Sequence, residues 1–196
     1  MNNKEAIIEA TINLINEKQD HIQEITMREI SKRAGVGLGL INYHFDNKEK
    51  LIEVCVEKIV NGIVEKFRSI GESTQGNTPF EKLDYLGNMT LTFLFEHQAV
   101  SKISILSDMR LPQENDNTHR TTQAFIPLVA QCRPDWEEEK VQQVAFCLIS
   151  SMQSVFLRYE ILQTTQGVNL KDPQERRAFH TKMLESIVGK TQEAGE

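Results

Sequence analysis

Residues 26–51 read TMREISKRAGVGLGLINYHFDNKEKL, and the fold is decided there. Thr26 followed by Glu29 is the S/T-x-x-E capping box, which satisfies two orphan amide groups at a helix start. Met27, Ile30 and Ala34 form the buried stripe of that helix, and Gly35 stands where a helix C-terminus favours a left-handed residue. A second short helix is predicted from about Gly37 to His44. At about 1.5 Å per residue it is a rod only ~10 Å long, small enough to enter a major groove ~12 Å wide. A capped helix, a tight glycine-bearing turn and a short second helix are the signature of a helix-turn-helix. Ile41 and Phe45, at i and i+4, are expected to anchor the second helix to the core. Leu38 shares their phase and can be core or outward-facing.

Outward from this stretch, apolar residues recur at helical spacing almost everywhere, with no convincing alternation at period two. Ile7, Thr11, Leu14 and Ile15 predict a helix over about Asn3–Lys18. Leu51, Cys55, Ile59, Ile63 and Phe67 predict a long one from Lys48, stopping at the polar GESTQGNT of residues 71–78. Thr78-Pro79-Phe80-Glu81 is a second capping box with proline at the first helical position. Helices are expected at about 80–97, 99–110 and 118–132. Asp135 and Glu138 repeat the capping pattern before the longest periodic run in the chain, and Asp172-Pro173-Gln174-Glu175 caps a last helix ending at Gly189. The expectation is all-α, with about nine helices and no internal repeat. Residues 1–50, too few to bury a large core alone, are expected to form a small module on a larger helical body of residues 51–196.

The chain of 196 residues carries 22 Lys+Arg against 28 Asp+Glu, a net charge of -6. Residues 27–50 are locally basic, with Arg28, Lys32, Arg33, Lys48 and Lys50 against Glu29, Asp46 and Glu49. Any nucleic-acid affinity therefore depends on local placement and is expected to be strongly salt-dependent. Cys55, Cys132 and Cys147 are widely spaced and odd in number, so they form no disulfide framework or CxxC metal pair. No apolar signal core opens the chain and no 18 apolar residues run together, so no membrane partner is expected and a reduced cytoplasmic protein is the default. The five histidines show neither HExxH nor i, i+4 pairing, so no metal or other cofactor is expected. Gly35-x-Gly37-x-Gly39 follows no strand and precedes no Lys-Ser/Thr, so it is not a phosphate loop. No nucleophile-elbow or other catalytic constellation supports an enzyme.

On Thr26, Ile30, Ala34, Gly35, Val36, the Tyr43-His44-Phe45 triplet, Asn47, Lys48, Glu49 and Leu51, the chain resembles the tetracycline-repressor (TetR) family of bacterial transcription regulators. The resemblance is motif-strong over about residues 4–65 and architectural beyond. It implies a homodimer with an N-terminal DNA-binding domain and a divergent C-terminal domain that binds a small effector and releases the operator. Beside it stands a second expectation, a nucleoid- or division-linked DNA-binding protein of the same fold with no effector. For the interface, Thr26 at a helix N-terminus and Arg28 one turn in would meet phosphate. Tyr43, His44 and Lys48 would donate to backbone oxygens, positioning the protein without specifying sequence. Asn42 can pair bidentately with adenine, while Leu38 and Leu40 can pack on thymine methyl groups. Gly37 and Gly39 would let the backbone approach DNA closely. Many family members carry an aromatic residue where Asn42 stands, so the operator cannot be borrowed from a relative.

Val141, Ala145, Leu148, Met152, Val155, Tyr159 and Leu162 alternate steps of four and three, the repeat of helices packed lengthwise. With Phe179, Met183 and Ile187 of the last helix they offer either a two-fold four-helix interface or internal core. The family tips the expectation to an interface at Leu148, Met152, Val155, Tyr159, Phe179, Met183 and Ile187. Two-fold symmetry then predicts a near-palindromic operator with half-sites ~34–36 Å apart. The family also implies a cavity among the middle helices for a small, largely apolar effector, with Tyr85, Met89, Phe93, Met109, Phe125, Phe146 and Phe156 as candidate lining. Glu96, Asp108 and Glu160 lie among apolar neighbours and could instead face a cationic effector. The long fourth helix, joining both halves, would be the lever.

Overall fold

The computed structural model describes residues 2–73 and 78–189, and the side chains of all of these except 19, 20 and 64–73. Among the described residues there are ten α-helices, one 3₁₀ helix and no strand. They are α1 (Asn3–Lys18), the 3₁₀ helix (Gln19–Glu24), α2 (Met27–Ala34), α3 (Leu38–His44), α4 (Lys48–Ser73), α5 (Pro79–Glu96), α6 (Gln98–Arg110), α7 (Asn117–Cys132), α8 (Glu138–Leu157), α9 (Tyr159–Gln166) and α10 (Pro173–Val188). The all-α expectation holds. No single described helix is long and apolar enough to cross a membrane. The Phe67 side chain of the predicted stripe, residues 74–77 of the polar break and the tail of residues 190–196 lie outside the described residues.

The tenth helix arises because the longest periodic run is not one helix. It breaks at Arg158, whose φ of -118° and ψ of 15° close α8, and α9 departs at 79°. The heptad spacing runs through the break unaltered, so no local signal announces it. Along the bent path the buried Tyr159 ring meets Phe95 edge-on, 5.4 Å between centroids. The cap before α8 also differs from expectation. Glu137 occupies the N-cap with no side-chain bond, because Asp135 is engaged by a two-pronged Arg133 guanidinium at 2.9 Å. The sequence-predicted caps of α2, α5 and α10 do form: Thr26 with Glu29, Thr78 with Glu81, and Asp172 accepting from the amides of Gln174 and Glu175.

The helices group into two compact units, Met1–Ile63 with His97–Asn117, and Val64–Glu96 with Thr118–Glu196. In the first, Ile7, Leu14, Ile15, Ile22, Ile25, Ile30, Ile41, Leu51 and Cys55 are buried. The 3₁₀ helix, too short at six residues to show a period, packs against α1 and α6. Burial pushes the Cys55 thiol up to about 12, which removes it from nucleophilic chemistry.

The second unit is centred on Leu83, Leu91, Phe125, Val129, Leu148, Phe156 and Leu184. Two basic side chains are buried in this core. The buried Arg176 guanidinium donates to the carbonyls of Leu170 and Lys171 at 3.0 and 3.3 Å and lies 5.1 Å over the Phe95 ring, a cation–π arrangement. His180 is fully buried, with Nδ1 3.1 Å from Asp84 Oδ1. Burial alone would raise the Asp84 carboxyl, but hydrogen bonds from His180 and Thr181 and the nearby Arg177 charge outweigh it and hold it below its ordinary range.

Candidate nucleic-acid interface

The interface is built from α2, the turn after it and α3. At the start of α2, the Glu29 amide donates to Thr26 Oγ1 at 3.2 Å, while Glu29 Oε2 accepts from the Thr26 amide at 2.8 Å and its hydroxyl at 2.9 Å. Lys18 Nζ holds the other carboxylate oxygen at 2.9 Å. These bonds, Lys18 foremost and then the Thr26 amide and hydroxyl, lower the Glu29 carboxyl to about 2. A carboxylate whose folded pKa lies below its unfolded value adds stability above the unfolded pKa and loses it as pH falls through the folded one. The contribution is therefore complete above about pH 4.5 and vanishes toward pH 2. Urea titrations of wild type and Glu29→Gln should show a stability gap at pH 6 that closes by pH 2; an equal gap at both would refute the assignment.

The turn is closed by Gly35 at φ 67°, left-handed as expected, with its amide and that of Val36 bonded to the Ser31 carbonyl. Ser31 Oγ returns a 2.6 Å bond to the Val36 carbonyl, fixing the chain direction into α3. Gly37 is the N-cap of α3. Ile41 is fully buried and Phe45 nearly so, so one side of α3 is pinned to α1 and α2. The rest of α3 is open: Leu38 and Asn42, at the edge of the buried stripe, stand one turn apart, as do Gly39 and Tyr43 farther round, all exposed. Tyr43 is 81% exposed and Leu38 41%, so Leu38 is not core. A Cβ added at Gly37 or Gly39 meets nothing within 4 Å. Neither glycine is demanded by packing within this chain.

Residues 7–55 match the profile of the family described as "Bacterial regulatory proteins, tetR family". The chain is 27% identical over 164 residues to the HTH-type transcriptional regulator BetI of Cronobacter sakazakii (strain ATCC BAA-894), covering 78% of this chain and 76% of that relative. BetI regulators of Yersinia strains match over 80 residues, 39% of their own length. Residues 7–55 thus carry the DNA-binding module of the tetR family. Two solved structures share the fold across nearly the whole chain. One is RolR in complex with resorcinol, with TM-score 0.61, 14% identity and coverage of 96% of this chain and 93% of that one. The other is FadR of Bacillus subtilis in complex with stearoyl-CoA, with TM-score 0.54, 16% identity and coverage of 94% and 98%. The module and the BetI likeness make the chain a helix-turn-helix DNA-binding transcriptional regulator of the TetR type.

Within that frame the sequence-predicted residues fall as follows. Arg28, Gly37, Leu38, Gly39, Asn42 and Tyr43 are exposed on α2, the turn and α3, with Leu40 and His44 half-buried at the edge. Thr26 is exposed, but its hydroxyl is committed to Glu29, and the anionic Glu29 sits at the helix N-terminus. That leaves less room for a phosphate there than the bare helix dipole suggests. Lys48 is half-buried and donates to the Gln23 carbonyl at 3.0 Å. Of the other cations, Arg33 pairs with Glu17 at 2.5 Å and Lys50 with Glu53 at 3.5 Å. Arg28 and Lys32 are exposed and, among the described residues, without an ion pair. Sequence reasoning missed Lys4, whose ammonium lies 5.9 Å over the Phe45 ring at the end of α3, because 41 positions of sequence separate the two. It missed Asn47 as a cap, although Asn47 Oδ1 accepts from the Lys50 amide at 2.8 Å and an Asn just before a helix is the available signal.

The expected dimer set divides by burial within the single chain. Leu148, Met152 and Tyr159 are buried within the second unit of this one chain, since the inner stripe of α8 continues through Val141, Ala145 and Phe156. They have almost no area left for a second copy. Val155, Phe179, Met183 and Ile187 are half-buried and retain some. The effector candidates are also dispersed. Phe125 and Phe156 are buried, Tyr85, Met109 and Phe146 are exposed, and Met89 and Phe93 are in between. Met109 lies on α6 of the first unit while the others belong to the second. Helical periodicity identifies apolar positions but not which of two apolar faces is inward, and this is why the two sets mixed core with surface.

Proposed function

We propose that this regulator binds a near-palindromic operator as a homodimer, represses from it, and is released by a small, largely apolar effector. The observation that carries the proposal is the exposed surface of α3 with Leu38, Asn42, Gly39 and Tyr43 beside the buried Ile41 and Phe45. A short rod anchored on one side and presenting an amide, a phenol and a bare backbone on the other suits edge-on entry into a major groove. Asn42 is the base reader, Leu38 and Leu40 the partners of thymine methyls, and Arg28, Tyr43, His44 and Lys48 the phosphate and backbone contacts. The half-buried row Phe179, Met183 and Ile187 on α10, with Val155, supports pairing of two copies. Complexes of the family's fold with resorcinol and stearoyl-CoA support an effector of substantial apolar area.

The test is to sequence DNA fragments retained by the purified protein against random competitor, then repeat with Asn42→Ala. Recovery of a palindromic motif is expected. The variant should lose discrimination at one base pair per half-site by about 1–3 kcal/mol. An unchanged motif for Asn42→Ala would remove Asn42 from the readout, and absence of any enriched motif would remove operator recognition itself.

A further inference from the structure

The first unit holds a cleft of about 750 Å³ bounded by the 3₁₀ helix, the first turns of α4 and one side of α6. It is distinct from all but the Lys48 edge of the DNA-facing residues and contains none of the effector candidates. Its floor is apolar, with Ile22 and Ile52 buried beneath Ile103 and Leu106. Leu106 is 53% exposed, a large apolar side chain left in water at the mouth. The rim is cationic: Lys48, Lys102 and Arg110 stand against Glu49 and Glu53. Glu53 is already shared between Arg110 and Lys50, and Lys102 is exposed without an ion pair among the described residues. The volume falls in the range of small-molecule sites, and an apolar body with a few polar fixing groups is their usual composition.

We propose that this cleft is a binding site for a small anionic amphiphile, a flexible hydrocarbon body ending in one carboxylate. The hydrocarbon covers Leu106 and Ile103, removing apolar surface from water. The carboxylate reaches Lys102, with Arg110 adjoining, and gains charge-assisted hydrogen bonds that a neutral or cationic head cannot make. The charge of the rim and the chemistry of the floor together select this occupant over a cationic one. The site stands whether or not the protein recognises an operator, since no DNA-reading step enters the argument.

Titration calorimetry of the full chain with sodium decanoate, below its micelle concentration, tests it. Decyltrimethylammonium serves as the matched cation, and Lys102→Glu and Leu106→Glu as variants. Both substituted positions are exposed, and circular dichroism checks that the helices are retained. Saturable decanoate binding by wild type is expected, with decyltrimethylammonium at least tenfold weaker and both variants weakened at least tenfold for decanoate. The proposal is overturned by no saturable decanoate binding, by equal binding of the two head groups, or by decanoate binding that survives both variants, which would place the ligand elsewhere.

Discussion

Gly87→Ala should lower the stability of the second unit by about 3 kcal/mol, roughly 10 °C in Tm. A Cβ at Gly87 on α5 would stand 2.1 Å from His180 Nε2 and 2.4 Å from its Cε1. The ring cannot swing away, because it is fully buried and its other nitrogen faces Asp84, which Thr181 also holds at 2.8 Å. Helix propensity alone favours Ala over Gly by about 1 kcal/mol, so the sign of the effect reports the steric clash. Gly62→Ala on α4, where nothing lies within 4 Å, is the control and should be neutral or slightly stabilising. Trp136 belongs to the second unit, so its fluorescence during urea unfolding follows the relevant transition. Adding His180→Ala to Gly87→Ala should relieve the clash and recover part of the loss. A Gly87→Ala protein as stable as wild type would mean that α5 and α10 are not seated on one another as described.

Arg28→Glu should weaken DNA binding about tenfold per protomer, hence about a hundredfold for a dimer, while leaving stability nearly unchanged. Arg28 is exposed on α2 without an ion pair among the described residues, so its reversal breaks nothing in the free protein. A charge-assisted phosphate contact is worth about 1.5–3 kcal/mol, and each tenfold in affinity is about 1.4 kcal/mol. The slope of log affinity against log salt should fall by about 2, one phosphate contact from each protomer. Arg33→Glu separates this from a general charge effect, because Arg33 is tied to Glu17 and its reversal should act mainly on the free protein. Electrophoretic mobility shifts at several salt concentrations read both. Equal losses and equal slopes for the two variants would show that only net charge matters.

Much of this was legible because the signals are local. The capping boxes at Thr26 and Thr78, the Asp172 cap and the left-handed Gly35 are set by hydrogen bonds within three or four residues, and each appears in the structure as spaced in the chain. The anchoring of α3 by Ile41 and Phe45 followed from phase alone. The Leu38 ambiguity did not yield to phase, because at the edge of a stripe a shift of one position decides between core and solvent. Its exposure is set by how α1 and α2 pack on α3.

The amino-acid order by itself determined the all-helical class, most helix boundaries and the helix-turn-helix, since these depend on propensity, capping and the 3.6-residue period acting over one or two turns. Tertiary structure alone decided four things: the bend at Arg158, the burial of Leu148, Met152 and Tyr159, the seating of His180 on the bare Cα of Gly87, and the cleft beside α6. Each of these depends on which face of a helix meets a neighbour distant along the chain, and a repeating apolar pattern is equally satisfied by either choice until the other helices are in place.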